Sequence, residues 1–300
     1  MTTRAVITGA SGFAGRHLTA ACAAAGDDVT GLSRSGDTGV DLLDAAATRD
    51  AVAAARPDVV YHLGARAHVG ESWRDPAATL HDNVAMTLNV LEAVRTQAPE
   101  ATVVAVASGE VYGPPARLPV DEAAPLRPQN PYAVSKASAD LLAGLYADAH
   151  GLRVIRARAF NHAGPGQAPT YVIASFAQQV ARGLDAGEDP IRLVTGNPDT
   201  RRDYTDVRDV VRAYRLLAAH AEPGIYNVCS GRTASTTDLI DRLAAAAGVR
   251  VEHEIDPALL RPHEVMELRG SYDALREATG WQPEIPLEQT LRDALVWWRA

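Results

Sequence analysis

The chain alternates short β-rich runs with longer alanine-rich stretches, and this alternation constrains its fold more than any other feature. The β-rich runs lie at residues 5–8, 29–32, 58–61, 102–106 and 152–155, and apolar residues recur at helical spacing over 13–25, 45–55, 76–97 and 131–150. Strands that alternate with helices pair in parallel, because each helix carries the chain back across the sheet. The pattern predicts an α/β fold with a doubly wound parallel sheet. With 47% apolar residues among 300, the chain can bury a sizeable core.

The pattern changes after residue 160. A turn-rich loop begins at Asn161, and the elements that follow read as shorter and interrupted by proline. Helical spacing returns at 206–218 and a β-rich run at 225–228. We therefore expect one domain over residues 1–160, which the chain re-enters at about 204–230. A smaller, irregular α/β domain is expected from 161–203 and 231–300.

Composition excludes several classes of protein. The net charge of -8 argues against a general nucleic-acid surface or a polybasic membrane patch, and no apolar run approaches the length of a membrane span. Cys22 and Cys229 are too few for a disulfide framework or a metal cluster, which suits a reducing cytoplasm. The nine histidines are scattered without ligand spacing, so no metal site is expected. An anionic ligand must therefore be held by a few local positive side chains.

Three glycines follow the first β-rich run, in the segment Thr8-Gly9-Ala10-Ser11-Gly12-Phe13-Ala14-Gly15. At such a turn between a strand and a helix, the pyrophosphate of a dinucleotide rests on the amides of the helix N-terminus. Gly9 would allow the tight turn, Gly12 the close approach of the phosphates, and Gly15 close packing of helix and strand. The segment therefore predicts a dinucleotide site.

The end of the second β-rich run bears on which dinucleotide binds. An acidic residue there favours the free 2′-hydroxyl of NAD, but the sequence has Ser33-Arg34-Ser35. The guanidinium of Arg34 suits a 2′-phosphate, so NADP(H) is favoured and NAD(H) stays open. Asp41, after the next turn, could reach the adenine or be a surface carboxylate.

Four polar residues form a candidate catalytic group. Tyr132 and Lys136 share one face of a helix that begins after Pro131, and a nearby cation is expected to lower the pKa of Tyr132 and fit it for proton exchange. The chain has 28 arginines and this one lysine, and a compact ammonium can also donate to ribose hydroxyls. Ser108, at the end of the fourth run, would donate to a substrate carbonyl. Glu110 could be a proton-abstracting base or a buried, hydrogen-bonded carboxylate.

These motifs, in this order and spacing, resemble the extended short-chain dehydrogenase/reductases that act on nucleotide sugars. Within that family the chain is most similar to the GDP-4-keto-6-deoxymannose reductases, neighbours of the GDP-mannose 4,6-dehydratases. The matching segments lie at residues 8–15, 61–65, 70–76, 158–167, 201–210, 226–231 and 259–262. The resemblance implies a Rossmann-type first domain and two further sets of ligand contacts. The set at the cofactor is Phe13, Leu42, Leu63 and Ala65, and the set at the GDP-sugar is Asn161, Arg202, Arg261 and Glu264, with the two arginines at the diphosphate.

The activity implied by the resemblance is NAD(P)H-dependent reduction of the C4 ketone of a GDP-4-keto-6-deoxyhexose, giving GDP-6-deoxy-D-mannose. Ser108 and Glu110 would then also contact the substrate, and Tyr132 and Lys136 the cofactor. The alternative is a 4,6-dehydratase or 4-epimerase that retains its cofactor, in which Glu110 is the base. A non-catalytic NAD(P)-sensing protein is a third hypothesis, although it would have no need of the Ser108, Tyr132 and Lys136 set.

Two further expectations follow from the resemblance. The family usually forms homodimers by packing the helices at 76–97 and 131–150 into a four-helix bundle. Arg66, His68 and residues 168–170 depart from the usual pattern of the family and border the expected sugar pocket. A rarer deoxysugar, a heptose or another nucleotide therefore stays open.

Overall fold

The computed structural model describes residues 2–34, 39–260 and 264–300. The strands in this part of the chain are β1 (Arg4–Thr8), β2 (Asp28–Leu32), β3 (Val59–His62), β4 (Thr102–Ser108), β5 (Val154–Ala159), β6 (Asn161–Ala163), β7 (Ile191–Thr195), β8 (Arg201–Asp206), β9 (Gly224–Val228), β10 (Thr233–Ser235), β11 (Val251–Ile255) and β12 (Glu267–Leu268). The α-helices are α1 (Phe13–Ala24), α2 (Ala45–Ala55), α3 (Val69–Arg74), α4 (Pro76–Gln97), α5 (Pro131–His150), α6 (Val172–Ala186), α7 (Val207–His220), α8 (Thr236–Ala247), α9 (Asp273–Thr279) and α10 (Leu287–Arg299). Short 3₁₀ turns follow β4 and β11.

A six-stranded sheet forms the centre of the larger part, in the order β2-β1-β3-β4-β5-β9. Every neighbouring pair is parallel. The prediction of a doubly wound parallel sheet is confirmed. The chain moves from β1 to β2 on one side and to β3 on the other, and such a reversal opens a crevice at the carboxyl ends of the strands.

Local capping explains why the helices begin and end where the sequence predicts. The Asp44 carboxylate accepts hydrogen bonds from two amides of the first turn of α2. Asn130 caps α5 by accepting from the amide of Ala133, and Pro131 occupies the first helical position. Gly151 ends α5 with φ of 68°, a left-handed conformation that costs glycine little. The bounds of α2, α4 and α5 match the prediction residue for residue.

Apolar layers cover both faces of this sheet. On one face, Ile7, Leu18 and Tyr214 are fully buried in a cluster that joins β1 to α1 and α7. On the other face, Val90 and Leu91 of α4 belong to a second cluster, which also includes α5 and α2. The sheet is therefore buried on both sides, as a parallel sheet requires.

The smaller part is built around β8. This strand pairs in parallel with β6 and β12 and antiparallel with β10, while β7 pairs with β11. The expectation of shorter elements holds for β6, β10 and β12 but is wrong for the helices, since α6 has 15 residues and α10 has 13. The reason is that the prolines lie at element boundaries, as Pro286 does at the start of α10. Among the described residues, no helix is long and apolar enough to cross a membrane.

Candidate active site

The glycine segment forms a tight turn between β1 and α1. The amide of Gly9 donates to the carbonyl of Leu32 at 2.8 Å, and the amide of Gly12 donates to the carbonyl of Gly9 at 2.9 Å. Gly9 has φ of +69°, and a Cβ at Gly15 would lie only 2.1 Å from the carbonyl oxygen of Gly9. A side chain at Gly15 would therefore force helix and strand apart.

The N-terminus of α1 is open to a ligand. Gly12 occupies the capping position, and no side chain caps the first turn. The amides of that turn have no partner within the helix, and with the helix dipole they favour an anion. Phe13 is the first residue of α1, and its ring lies parallel to that of His162 with the centroids 6.0 Å apart. This uncapped, glycine-lined turn fits a dinucleotide pyrophosphate.

The residues predicted at the adenosine follow β2. Arg34 is exposed directly after that strand. Asp41 accepts a hydrogen bond from the amide of Leu43 at 3.0 Å, and the side chain of Asn89 donates to the carbonyl of Leu42 at 2.8 Å. Leu42 is buried, and a Cβ at Gly64 would lie 2.7 Å from its Cδ1.

Leu63 and Ala65, also predicted at the cofactor, follow β3 on the same edge of the sheet as the glycine turn. Both are half-buried. Of the predicted cofactor residues in the described chain, those on the first three strands and the loops after them lie along the edge formed by β1, β2 and β3, whereas Tyr132 and Lys136 lie on α5.

Tyr132, Ser108 and Glu110 come together at the carboxyl end of β4. The Tyr132 phenol lies near the hydroxyl of Ser108, the last residue of β4, close enough for that hydroxyl to lower the pKa of the phenol. Burial raises the pKa of Tyr132 well above its usual range, the Ser108 hydroxyl opposes this, and Tyr171 and Glu110 add to the rise. One carboxylate oxygen of Glu110 accepts from the side chain of Asn130 at 3.3 Å. The Tyr132 phenol and the Ser108 hydroxyl are thus placed where both can donate to one carbonyl oxygen.

Lys136 lies one turn further along α5 and is buried. Its ammonium donates to the carbonyl of Val106 at 2.5 Å. Burial lowers the pKa of Lys136 to about 8, and the charge of Asp140 opposes the fall. The expectation that the pKa of Tyr132 is lowered is wrong for this structure, because burial of the phenol raises it.

A buried polar network behind the site was missed from the sequence. The Arg158 guanidinium pairs with the Asp140 carboxylate at 2.7 Å and donates to the Tyr112 hydroxyl at 3.0 Å. That hydroxyl donates in turn to Asn227 at 2.7 Å. The network ties α5 to β5 and β9. The sequence did contain a signal for this network, because a charged residue at a core position of a strand or helix needs a partner.

The predicted substrate residues lie in the smaller part. Asn161 is exposed at the start of β6, and Glu264 is half-buried. Arg202 of β8 donates to the carbonyl of Arg201 at 3.0 Å and, within residues 2–34, 39–260 and 264–300, pairs with no carboxylate. Arg201 instead pairs with Asp238 at 3.3 Å. Arg261 lies outside the described residues.

Asp203, next to Arg202, was not singled out from the sequence. Its carboxylate accepts from the amides of Ser230 at 2.7 Å, Gly231 at 2.9 Å and Gly270 at 3.3 Å. Burial raises the pKa of Asp203 to about 6 against these hydrogen bonds. Asp203 thus fixes β8 to the loop after β9 and to the turn after β12.

Comparison with known proteins identifies the family. The model of the family described as "GDP-mannose 4,6 dehydratase" matches residues 6–294. The chain belongs to this family. It is 43% identical to the GDP-6-deoxy-D-mannose reductase of Pseudomonas aeruginosa over 303 residues, which cover 100% of this chain and 98% of that protein. The resemblance noted in the sequence is confirmed.

Two solved structures are similar over the whole fold. The structure of RMD from Pseudomonas aeruginosa complexed with NADPH has a TM-score of 0.90 and 42% identity and covers 99% of both chains. The UDP-glucose 4-epimerase of Thermus thermophilus, in complex with NAD, has a TM-score of 0.88 and 31% identity and also covers 99% of both chains. Similar structures have therefore been solved with NADPH and with NAD.

Proposed function

We propose that this protein is an NAD(P)H-dependent reductase that converts the C4 ketone of GDP-4-keto-6-deoxymannose to the alcohol of GDP-6-deoxy-D-mannose. The observation that carries the proposal is that the Tyr132 phenol and the Ser108 hydroxyl lie together at the carboxyl end of β4. It provides two hydroxyl groups for one carbonyl oxygen on the edge of the sheet that holds the glycine turn. The full-length similarity to a protein named as this reductase supports the substrate.

NADP(H) is the favoured cofactor, and NAD(H) is the second choice. The uncapped first turn of α1 and the glycines at 9, 12 and 15 fit the pyrophosphate. Exposed Arg34 suits a 2′-phosphate, and a similar structure was solved with NADPH. Another similar structure holds NAD, which keeps the second choice open.

Each catalytic side chain has a distinct role in this proposal. A bound nicotinamide would supply the hydride that reduces C4. The Ser108 hydroxyl donates to the carbonyl oxygen and polarises it, and Tyr132 gives that oxygen the proton that completes the alcohol. Lys136 would donate to the ribose hydroxyls and so hold the nicotinamide ribose beside Tyr132. The carbonyl thus gains one hydride at carbon and one proton at oxygen.

The smaller part of the chain, 161–203 with 231–300, would hold the GDP-sugar. Asn161, Arg202, Arg261 and Glu264 are the proposed contacts. Arg202 suits the diphosphate because it is half-buried and pairs with no described carboxylate, so its charge is available. Arg201 is engaged with Asp238 and is not assigned to the ligand.

The reductase assignment is tested by mixing purified protein with GDP-4-keto-6-deoxymannose and either NADPH or NADH. The expected result is loss of nicotinamide absorbance that depends on the sugar nucleotide, faster with NADPH. Absence of oxidation with both cofactors would overturn the assignment.

A second candidate function is suggested by Glu110. Its carboxylate is close enough to Tyr132 to raise the pKa of that phenol, and Asn130 orients it. This is the place for the base that a 4,6-dehydratase or a related epimerase requires. Cofactor that stays bound through purification, together with turnover of GDP-mannose alone, would favour this function over reduction.

We also infer a homodimer through α4 and α5. Five apolar side chains form a stripe on these helices and are between 36% and 60% exposed, namely Leu80, Leu88, Val134, Leu141 and Leu145. Burial of such a stripe against a second copy would produce the four-helix bundle. Light scattering should give the mass of two chains for the wild type and of one chain for L141E/L145E, with V296E, at an exposed position of α10, as the control. A monomeric wild type would overturn the dimer.

A cytoplasmic location is proposed as well. Cys22 and Cys229 are free, buried thiols. Such thiols persist in a reducing compartment.

A further inference from the structure

Two segments outside the proposed catalytic group meet beside Tyr132. The rings of His68, before α3, and Tyr171, before α6, pack edge to face with centroids 5.7 Å apart and an interplanar angle of 75°. His68 and residues 168–170, which directly precede Tyr171, are positions that the sequence places at the border of the expected sugar pocket.

The hydrogen bonds of His68 fix its tautomer. Its Nδ1 accepts from the amide of Glu71 at 3.0 Å, so the ring proton has to be on Nε2. Nε2 lies 3.3 Å from the carbonyl of Thr170 and donates to it. Both nitrogens of the neutral ring are therefore used, and the ring joins the first segment to the residue preceding Tyr171.

Asn83 anchors the His68 segment to the turn that carries Tyr132. Its buried amide accepts from the backbone of Arg66 at 2.7 Å and donates to the carbonyl of Arg66 at 3.1 Å. It also donates to the hydroxyl of Ser135 at 2.8 Å, which donates to the carbonyl of Tyr132 at 2.7 Å. The backbone of the His68 segment is therefore fixed relative to the helical turn that carries the Tyr132 phenol. Through His68, so is Tyr171.

The Tyr171 phenol is available for a ligand. Its ring is half-buried, and its hydroxyl has no hydrogen-bond partner in the part of the chain that the structure describes. Burial raises its pKa, and Glu71 adds to the rise, so the phenol is a neutral donor at physiological pH. After burial, Tyr171 also adds to the raised pKa of Tyr132, in keeping with the contacts that run from His68 through Asn83 and Ser135 to that turn.

We propose that Tyr171 is a specificity-determining residue for the hexose, donating a hydrogen bond to a sugar hydroxyl next to the reacting carbon, and that His68 is its positioning residue. The proposal rests on the proposed function, because it places the reacting carbonyl at Tyr132. The class of substrate it selects is a sugar nucleotide with a hydroxyl adjacent to the carbonyl.

The first test compares kinetics of Tyr171→Phe with Tyr226→Phe, whose hydroxyl donates to the carbonyl of Glu222 at the amino end of β9, away from the proposed site. Loss of one neutral hydrogen bond should raise KM for the sugar nucleotide about 3- to 10-fold in Tyr171→Phe. Turnover and the Kd for NADPH should change less than about twofold, and Tyr226→Phe should match the wild type within the same range. Unchanged KM in Tyr171→Phe would overturn the inference while leaving the reductase assignment intact.

The second test separates a positioning role of His68 from a general loss of structure. His68→Ala should raise KM in the same way as Tyr171→Phe, and His68→Gln, which can still donate to Thr170, should restore part of the loss. An equal effect of His68→Ala on NADPH binding would contradict the positioning role.

A binding measurement keeps the two proposals distinguishable. With NADP⁺ present, the ratio of the Kd for GDP to the Kd for GDP-mannose reports what the sugar contributes, and UDP with UDP-glucose replaces this pair if the wild type prefers uridine. The ratio should fall in Tyr171→Phe while the Kd for the nucleotide stays constant. If the wild type oxidises no NADPH, the proposed function fails, and this ratio still decides the role of Tyr171. If neither nucleotide pair binds, both proposals fail.

Discussion

The cofactor edge and the sugar edge of the site are held together by different means. At the cofactor edge, Gly9 and Gly12 are fixed by backbone hydrogen bonds, and Gly15 leaves no space for a side chain. At the sugar edge, side chains make the connections, as His68 does to Thr170 and Asp203 does to Ser230. A backbone-held edge tolerates few residue types, whereas a side-chain-held edge can change its ligand by substitution. This difference between the two edges explains how one fold can bind several sugars while keeping one type of cofactor.

Tyr132 lies where the two edges meet, so its removal should have the largest effect. Tyr132→Phe removes the proton donor and should lower turnover by about 100- to 10,000-fold. The Kd for NADPH, measured by fluorescence titration, should change by less than about threefold, because the ring and its packing remain. Activity close to the wild type would show that another group protonates the sugar.

Gly15→Ala disrupts the cofactor edge and leaves the sugar edge intact. The added Cβ would lie 2.1 Å from the Gly9 carbonyl, so the turn has to move. Displacing the turn should lower kcat/KM for NADPH by about 100-fold. The matched control is Ala20→Val, which adds volume on the exposed face of the same helix. Equal behaviour of the two variants would contradict the close packing of α1 on β1.

Arg202→Ala changes the sugar edge. Loss of a charge-assisted contact to the diphosphate should raise KM for the sugar nucleotide about 10- to 100-fold and leave the Kd for NADPH unchanged. Arg201→Ala is the control, because that neighbour is engaged with Asp238 at the surface and should change KM by less than about threefold. If the two variants reverse their effects, the ligand arginine has been wrongly assigned.

The smallest effect is expected from pH at the cofactor edge. Burial lowers the pKa of Lys136 to about 8, and the raised pKa of Tyr132 keeps that phenol protonated in the same range. Above pH 8 the ammonium loses its charge, so kcat/KM for NADPH should fall by about tenfold per pH unit. Lys136→Arg keeps its charge, so kcat/KM for NADPH should no longer fall above pH 8. Its activity near neutral pH should be lower, because the guanidinium has a different shape. If kcat/KM for NADPH still falls above pH 8 in Lys136→Arg, another group is responsible for the titration.

The same contrast explains how much the sequence could predict. Asp44 and Asn130 act within their own helices, and the glycine turn lies between neighbouring elements, so these parts of the fold could be placed from local sequence. The His68–Thr170 hydrogen bond joins residues 102 positions apart, and the partner of Arg158 is 18 positions away in α5. A single sequence indicates that such residues need partners but not which partners they take. The division into two domains and the roles of the site residues stay predictions.

The most direct test of the central claim follows one hydride. Purified protein is incubated with GDP-4-keto-6-deoxymannose and NADPH that carries deuterium at the transferred position of its nicotinamide, and the product is examined by mass spectrometry and NMR. Reduction at C4 predicts GDP-6-deoxy-D-mannose with one deuterium at C4 and one equivalent of oxidised cofactor. A product without deuterium, or turnover without net oxidation of NADPH, would contradict the account.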